Sequence, residues 1–403
     1  MSAVAEALPE IRIFSPEFEA DPHAVFARLR GGAAGLARSE RGIEVLGYDT
    51  VNSVLRDRRF YWPGVALMES NGITAGTVHD RWAQSMINLN GPPHAHIRRL
   101  AMVGFNRATV EQQRPAMARI VDQLVDELID ERVVEFATEF AQRLPSLLFC
   151  EIIGSPLSDA PALAAWSLSL NKMLYMDPAV GAEVERAWLE LEDYVDAQIP
   201  QRRGRGGTDL LSALLDAEER DGRLSRDELT NLMVQILLGS TDSTANQLCL
   251  TVRALSLRPD DWDRLRADPA LIPAAVEEGL RVAPRQIASL RVSDEDTRIE
   301  DVDVPAGTMV GVCVAAANRD PTVFADPDAF VLDRPRGKNQ LSFGAGVHSC
   351  IGSGVARIEM EEALAVLTGR IARITSLPGA DIRAKGGHVV EVDAMPVELA
   401  TAG

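Results

Sequence analysis

Apolar residues recur at helical spacing from Pro22 to Arg30 (PHAVFARLR), and Gly42 to Tyr48 (GIEVLGY) then reads as a short strand leading into another helix. From about His94 to Ser256 long amphipathic helices dominate, with breaks at Pro145, around Pro156 to Pro161, and at the Gly204 to Gly207 cluster. The longest helical pattern runs from Leu224 to Leu257. It opens with Ser225 and, three residues later, Glu228, a capping-box spacing in which each side chain can satisfy the other's backbone N–H. Its centre is apolar almost all round, which predicts burial. After Glu278 the period changes: Ile287 to Val292, Arg298 to Val304 and Thr308 to Val314 predict short strands, with turns such as Pro305-Ala306-Gly307 between them. An irregular stretch rich in Pro, Asp and Arg follows from Asn318 to Gln340, and an apolar helix is predicted from about Ile351 to Ile374. A loop that long inside a compact enzyme is usually functional.

Composition narrows the class. The 403 residues are 46% apolar and 25% charged, as in an ordinary globular enzyme, and the length suits either several domains or one large helical fold closed around a cofactor. Acidic residues outnumber basic ones by 59 to 41, so a nucleic-acid partner, which needs a basic face, is not expected. The four cysteines, Cys150, Cys249, Cys313 and Cys350, lack zinc-site or disulfide spacing and fit a reducing, cytoplasmic setting. Met1 to Ile11 carries Glu6 and Glu10 and no basic n-region, and no segment reaches the roughly 18 uninterrupted apolar residues needed to cross a bilayer. Neither a signal peptide nor a membrane anchor is expected.

Candidate chemistry concentrates in Phe343-Gly344-Ala345-Gly346-Val347-His348-Ser349-Cys350-Ile351-Gly352. One cysteine stands at the mouth of a helix, where amide N–H groups favour thiolate, and flanking glycines let the backbone approach a flat cofactor. An inert cysteine beside a tight turn is the plainer alternative; a phosphate loop is another, but its lysine is missing. Elsewhere, Glu278 and Arg281 share a helix face at i, i+3, a pairing common on solvated surfaces. His94 and Arg98 share a face four apart, within Asn90-Gly91-Pro92-Pro93-His94-Ala95-His96-Ile97-Arg98-Arg99-Leu100. In the centre of the long helix, Leu237-Leu238-Gly239-Ser240-Thr241-Asp242-Ser243-Thr244 combines small residues, an acid and alcohols, which can form a proton relay or simply a polar kink.

The cysteine segment resembles the haem-binding loop of the cytochrome P450 family, F-x-x-G-x-x-x-C-x-G, with Phe343, Gly346, Cys350 and Gly352 at its fixed positions. The resemblance implies that Cys350 ligates the iron of haem b, that Phe343 packs near the sulfur, and that His348 reaches a haem propionate. Glu278 and Arg281 look like the family's E-x-x-R, and Arg334, in Phe330-Val331-Leu332-Asp333-Arg334-Pro335, like the third member of that structural network. The segment beginning at Asn90 is similar to the start of the family's C helix; by resemblance His94, Arg98 and Arg291 hold propionates. Leu237 to Thr244 resembles the oxygen-activation sequence A-G-x-D/E-T-T, with Asp242, Ser243 and Thr244 as the catalytic acid and alcohols. Ser243 stands where threonine is usual, which keeps the hydroxyl but loses the methyl that restricts its rotamers. The resemblance runs from about Asp21 to the C-terminus, with Asn318-Arg319-Asp320-Pro321 and Phe324 adding a family-like meander.

The expectations are therefore a mainly α protein with small β-sheets, the P450 fold, in which residues 1–403 form a single triangular domain enclosing haem, with an extended or disordered arm over about residues 1–15. The implied activity is monooxygenation of a small, largely apolar organic substrate, with O2 as co-substrate and electrons from NAD(P)H through a separate ferredoxin or flavodoxin and its reductase. A peroxide-driven peroxygenase and a non-catalytic haem sensor are the alternatives, and Asp242 argues against both. Substrate-lining positions are expected at Gln235, Leu238, Gly239, Gln286 and Ile287, within a pocket that also draws on Tyr61 to Asn88 and Leu168 to Ala182. Gln235 and Arg285-Gln286 hint at a polar or carboxylate group on the substrate, although Arg285 facing water is the commoner fate of an arginine. Arg99, Arg357 and Lys338 are candidates for the basic patch that meets the electron donor.

Overall fold

The computed structural model describes residues 8–30, 35–205, 207, 209–221, 225–335 and 337–401. Its chain contacts divide it into two compact units, one made of Met1–Pro63, Cys249–Cys350 and Pro378–Met395, the other of Gly64–Leu248, Ile351–Leu377 and Pro396–Gly403.

The first unit carries the larger sheet. Its five strands lie in the order Leu36–Arg38, Ile43–Val45, Met309–Val312, Ser289–Ser293, Phe60–Tyr61, with one parallel pairing, Ile43 to Val45 against Val310 to Val312. One core holds it together, with Val45, Val51, Val310 and Val312 fully buried. The three predicted strands are present but displaced. Ser289–Ser293 starts two residues late, Arg298 to Val304 is a hairpin of Thr297–Ile299 and Val302–Val304, and the third strand stops at Val312. There Val314–Ala317 turns helical: its run of alanines favours helix, and an all-apolar run has no period to separate strand from helix. The N-terminal arm is extended and packed where it is described. Ile11 and Ile13 are buried, Ile11 N–H donates to the Arg38 carbonyl (2.9 Å) and Arg38 N–H to that of Pro9 (2.9 Å). Residues 1–7 of the expected arm lie outside the described residues.

The second unit is nearly all helix, built on a core in which Trp82 and Trp188 meet edge to face at 6.0 Å. A three-stranded sheet, Val133–Glu135, Pro396–Thr401, Ile371–Ser376, accompanies the helices. The helix predicted from Ile351 to Ile374 is Ser353–Arg370; the β-branched Ile371, Ile374 and Thr375 pair as a strand instead. The long helix predicted from Leu224 to Leu257 is two helices, Arg226–Ser240 and Asp242–Ser256, broken at Thr241. Leu224 lies outside the described residues, as does Gly206 of the predicted glycine break. The capping box is formed: Glu228 N–H donates to Ser225 Oγ (3.3 Å) and Ser225 N–H to Glu228 Oε2 (2.7 Å). The break has a local cause. Ser240 and Thr241 both send their hydroxyls back to the Leu237 carbonyl and Ser243 sends its own to that of Gly239, competing for the acceptors of the helix ladder. Among the described residues no helix is long and apolar enough to cross a membrane.

Candidate functional site

The cysteine loop is shaped by its own backbone. Cys350 N–H donates to the Phe343 carbonyl (2.8 Å), Ser349 N–H to that of Gly346 (3.2 Å), and Gly346–His348 forms one 3-10 turn before the helix that starts at Ser353. Gly346 has φ 74° and lies against the end of the Tyr48–Arg56 helix, so a Cβ there would stand 2.7 Å from the Leu55 carbonyl oxygen. Only glycine tolerates both the dihedral and the approach. Of the four cysteines Cys350 alone is exposed. Burial pushes the Cys150 thiol up to about 12 and the Cys313 thiol well above the usual range, so these two stay protonated. Cys350, exposed just before a helix, is the cysteine that fits the expected thiolate ligand. Phe343 and His348 are half-buried on this loop, and Gly352 is the N-cap residue of the following helix.

The loop is anchored by a buried ionic network. Arg281 Nη2 and Nε donate to Glu278 (2.7 and 2.8 Å), Arg334 Nε donates to both oxygens of the same carboxylate (3.0 and 3.1 Å), and Val331 N–H adds a further bond (2.8 Å). The Glu278 and Arg281 side chains are only 5% and 2% exposed, so the pair is no solvated surface contact. Burial raises the Glu278 pKa, but the two guanidinium groups and the amide outweigh it and hold the carboxyl below its usual range. Arg281 also reaches the carbonyls of Asn318, Pro327 and Ala329, and Arg334 that of Ala325. From Asn318 the chain of bonds continues: its Oδ1 accepts from Leu341 N–H (2.7 Å), its Nδ2 donates to Ser342 Oγ (2.8 Å), and Ser342 Oγ donates to the Leu280 carbonyl. The network thus ends on the residue before Phe343. Sequence reasoning found its three charged members and missed Asn318 and Ser342 as parts of it, because neutral polar residues carry no spacing signal.

Arg291 in the first unit and His94 with Arg98 in the second supply buried or half-buried basic side chains. Arg291 is buried in the first unit, donating to Ser289 Oγ and the Leu290 carbonyl (both 2.8 Å); burial alone draws its pKa down to about 10. No carboxylate pairs with it among the described residues. In the second unit His94 is buried and Arg98 half-buried on the Gly91–Phe105 helix; burial, then the Arg98 charge, lowers the His94 pKa. A buried guanidinium without a carboxylate, and an imidazole repelled by a guanidinium one turn away, are each relieved by an added anion. Both fit a cofactor bearing carboxylates, as haem does.

At the helix break Asp242 is buried, and Asn246 Nδ2 donates to its Oδ1 (2.9 Å) and its carbonyl (3.0 Å). Ser243 donates to the Gly239 carbonyl (2.8 Å), so its proton is committed and its oxygen is left to accept. Thr244 is buried, and Thr241 is hydrogen-bonded to Ser167 of the Ala160–Asn171 helix. Gly239 faces open space: a Cβ there would meet nothing within 4 Å.

The expected substrate positions are less uniform. Gln235 donates to Asn231 and Leu238 packs half-buried against the core. Gln286 turns its amide onto the carbonyls of Ala288 and His388, and Ile287 is buried. Arg285 neither faces water nor offers a charge to a carboxylate substrate, because it is buried in an ion pair with Glu391 (2.6 Å). Among the basic-patch candidates Lys338 is engaged by Asp49 and lies over the Tyr48 ring, Arg357 donates to the Ser353 carbonyl, and Arg99 is exposed.

Comparison with known proteins agrees with this arrangement. A family model described as Cytochrome P450 matches residues 264–368. Luteothin monooxygenase of Streptomyces thioluteus is 32% identical over 368 residues, 90% of this chain and 89% of that protein. Cytochrome P450 monooxygenase PikC of Streptomyces venezuelae is 34% identical over 365 residues, covering 88% and 85%. The structure of cytochrome P450 CYP109Q5 from Chondromyces apiculatus superposes with a TM-score of 0.85 at 27% identity over 98% of this chain and 99% of that one. The cytochrome P450 enzyme CxnD, for C-S bond formation in chuangxinmycin biosynthesis, gives 0.85 at 28% identity over 98% of both chains. With such relatives aligned along nearly their whole length, and an exposed cysteine at the mouth of a helix, this chain belongs to the cytochrome P450 family of monooxygenases.

Proposed function

We propose that this P450 transfers one atom of O2 to a small, largely apolar organic molecule of the secondary-metabolite kind, drawing electrons from NAD(P)H through a ferredoxin or flavodoxin and its reductase in the cytoplasm. Relatives named 6-deoxyerythronolide B hydroxylase and nocardicin C N-oxygenase, at 31% and 33% identity, support that substrate class. The observation that carries the proposal is the break at Thr241, which leaves a buried acid and a hydroxyl acceptor beside the open face of Gly239. A sensor has no use for a dedicated acid, and a peroxide-driven enzyme receives its oxygen already reduced.

Thiolate-ligated haem, when bound, supplies the redox chemistry: reductive activation of O2 and transfer of one oxygen atom, the other leaving as water. Cys350 would provide the thiolate. Arg291, His94, Arg98 and His348 would neutralise the two propionates, each of which is costly to bury uncompensated. Asp242 would take protons from solvent and pass them inward by rotation of its carboxyl group, with Asn246 fixing its resting position. Ser243, its proton committed to Gly239, would accept a hydrogen bond from a water beside it and so orient the proton that Asp242 sends; neighbouring helical residues point about 100° apart and act in series. Thr244, buried, would be a second alcohol.

The test is haem-loaded protein with NADPH, ferredoxin and ferredoxin reductase. Wild type should show the thiolate type of ferrous-CO spectrum and form product, Cys350→His should lose that spectrum, and Asp242→Asn should lower kcat about tenfold or more with KM nearly unchanged. A thiolate-type spectrum retained in Cys350→His, or equal turnover with hydrogen peroxide alone in wild type and Asp242→Asn, overturns the proposal.

A further inference from the structure

The helix Ala160–Asn171 packs Ala160, Leu163 and Leu170 into the core of the second unit, and on this otherwise apolar buried face two residues are polar, Ser167 and Asn171. They are 1% and 6% exposed and stand four apart, so they share one side of the helix. Buried polar groups cost stability unless they find partners. Both find them at the break: Ser167 Oγ is hydrogen-bonded to Thr241 Oγ1, and Asn171 Nδ2 donates to the Leu238 carbonyl (3.3 Å).

The direction of each bond follows from the chemistry of its ends. An amide nitrogen only donates, so Asn171 Nδ2 gives its hydrogens to the Ser167 carbonyl (2.9 Å), to Ser167 Oγ (3.4 Å) and to Leu238. Thr241 sends its single hydroxyl hydrogen to the Leu237 carbonyl (3.1 Å), which leaves Ser167 as the donor to Thr241 Oγ1. The donors therefore run from Asn171 to Ser167, to Thr241, to Leu237. Three successive carbonyls at the break take side-chain donors: Leu237 from Ser240 and Thr241, Gly239 from Ser243 and, between them, Leu238 from Asn171, 67 residues away. The hydroxyls of Ser240, Thr241 and Ser243 are local and turn with their own chain. Ser167 and Asn171 belong to another helix, and they tie the orientation of Thr241 to it. Asp242 and Ser243 follow Thr241 directly, so the same bonds decide where the acid and the hydroxyl acceptor stand.

We infer that Ser167 and Asn171 are positioning residues for proton delivery: acting through Thr241 and Leu238, they hold the break in the geometry that aims Asp242 and Ser243. The inference rests on the proposed function, in which Asp242 and Ser243 deliver protons. Thr241 itself is taken out of the relay, because its hydrogen is committed to Leu237 and its oxygen to Ser167. Loss of either positioning residue should misdirect protons while leaving substrate binding in place.

The experiment uses haem-loaded full-length wild type, Ser167→Ala, Asn171→Leu, Thr241→Val and the double variant Ser167→Ala with Thr241→Val. Amide hydrogen exchange, followed by mass spectrometry, needs no substrate. In each variant the segment 237–246 should exchange about tenfold faster, the worth of one neutral hydrogen bond, while the Ser353–Arg370 helix keeps its wild-type rate. The double variant should exchange no faster than Thr241→Val, since both substitutions remove the same bond. Turnover with NADPH, ferredoxin and ferredoxin reductase then uses cyclododecane as the apolar probe. Product formed per NADPH should fall about threefold in Ser167→Ala and Asn171→Leu, the balance appearing as hydrogen peroxide, because the relay is misaimed but still present. The Kd of cyclododecane, read from the haem band, should stay at its wild-type value. Unchanged exchange in the segment 237–246, equal acceleration in the Ser353–Arg370 helix, or faster exchange with unchanged product per NADPH overturns the inference. A thiolate-type ferrous-CO spectrum in all five proteins, with product from cyclododecane in wild type, keeps that failure distinct from failure of the proposed function.

Discussion

Ser243 shows how much one missing methyl group can decide. Its hydroxyl proton is committed to the Gly239 carbonyl, so it works as an acceptor whose direction depends on χ1. Threonine, the usual residue of the family pattern, is held to fewer rotamers by its methyl; serine samples more of them. Ser243→Ala should therefore uncouple the enzyme, with more hydrogen peroxide released and less product formed per NADPH, at similar NADPH consumption. Ser243→Thr should couple at least as well as wild type. Peroxide yield and product, measured side by side, check this, and equal coupling in the Ser, Ala and Thr forms would transfer the role to Thr244 or to water.

The Ile272–Val282 helix acts at the level of elements, because Glu278 and Arg281 gather the irregular stretch from Asn318 to Arg334 onto its face. Replacing one partner of a buried, hydrogen-bonded ion pair typically costs about 3–5 kcal/mol, since the remaining charge stays buried. Glu278→Gln should lower stability by that order and loosen the cysteine loop through Asn318 and Ser342, which haem retention during thermal unfolding would report. The sign with pH is set by the depressed pKa of Glu278. The network's contribution is fully present above the ordinary glutamate pKa and is lost as pH falls through the lower folded value, so wild type and Glu278→Gln should converge in acid.

For the molecule as a whole, a second carboxyl works in the opposite direction. Glu359, buried in the Ser353–Arg370 helix with Oε1 unpartnered, has its pKa raised by burial to about 8 from an ordinary 4.5. The folded protein holds this proton longer than the unfolded chain does, so stability should decline as pH rises from about 4.5 to about 8 and level off above. Glu359→Gln should flatten that decline in denaturant titrations across the range, and an unchanged slope would show that Glu359 ionises normally. The overall charge of −18 sets another whole-molecule property. An acidic electron donor must find a local basic surface, and Arg99 is better placed to supply it than Lys338, which Asp49 already neutralises. Arg99→Glu should slow reduction by an acidic ferredoxin and flatten its salt dependence, as stopped-flow reduction between low and high salt would show; Lys338→Glu should do so less.

Much of this protein was legible before any fold was known. Cys350 and its glycines, and the acid and alcohols from Asp242 to Thr244, could be singled out as candidates, and the Glu278–Arg281–Arg334 network recognised, because short motifs put chemically demanding residues at fixed spacings. The sequence could not place what depends on neighbours distant along the chain. The break at Thr241 arises from hydroxyls competing for carbonyls within an apolar run that reads as one helix. The strand ending at Val312 stopped short because its apolar run has no period to separate strand from helix. Arg285, which the sequence left between solvent and substrate, is neutralised by Glu391, 106 residues away. Ser167 and Asn171 carried no sign of their role for the same reason: two neutral polar residues on an apolar helix have no telling spacing, and only the tertiary structure brings them to partners 74 and 67 residues further along the chain.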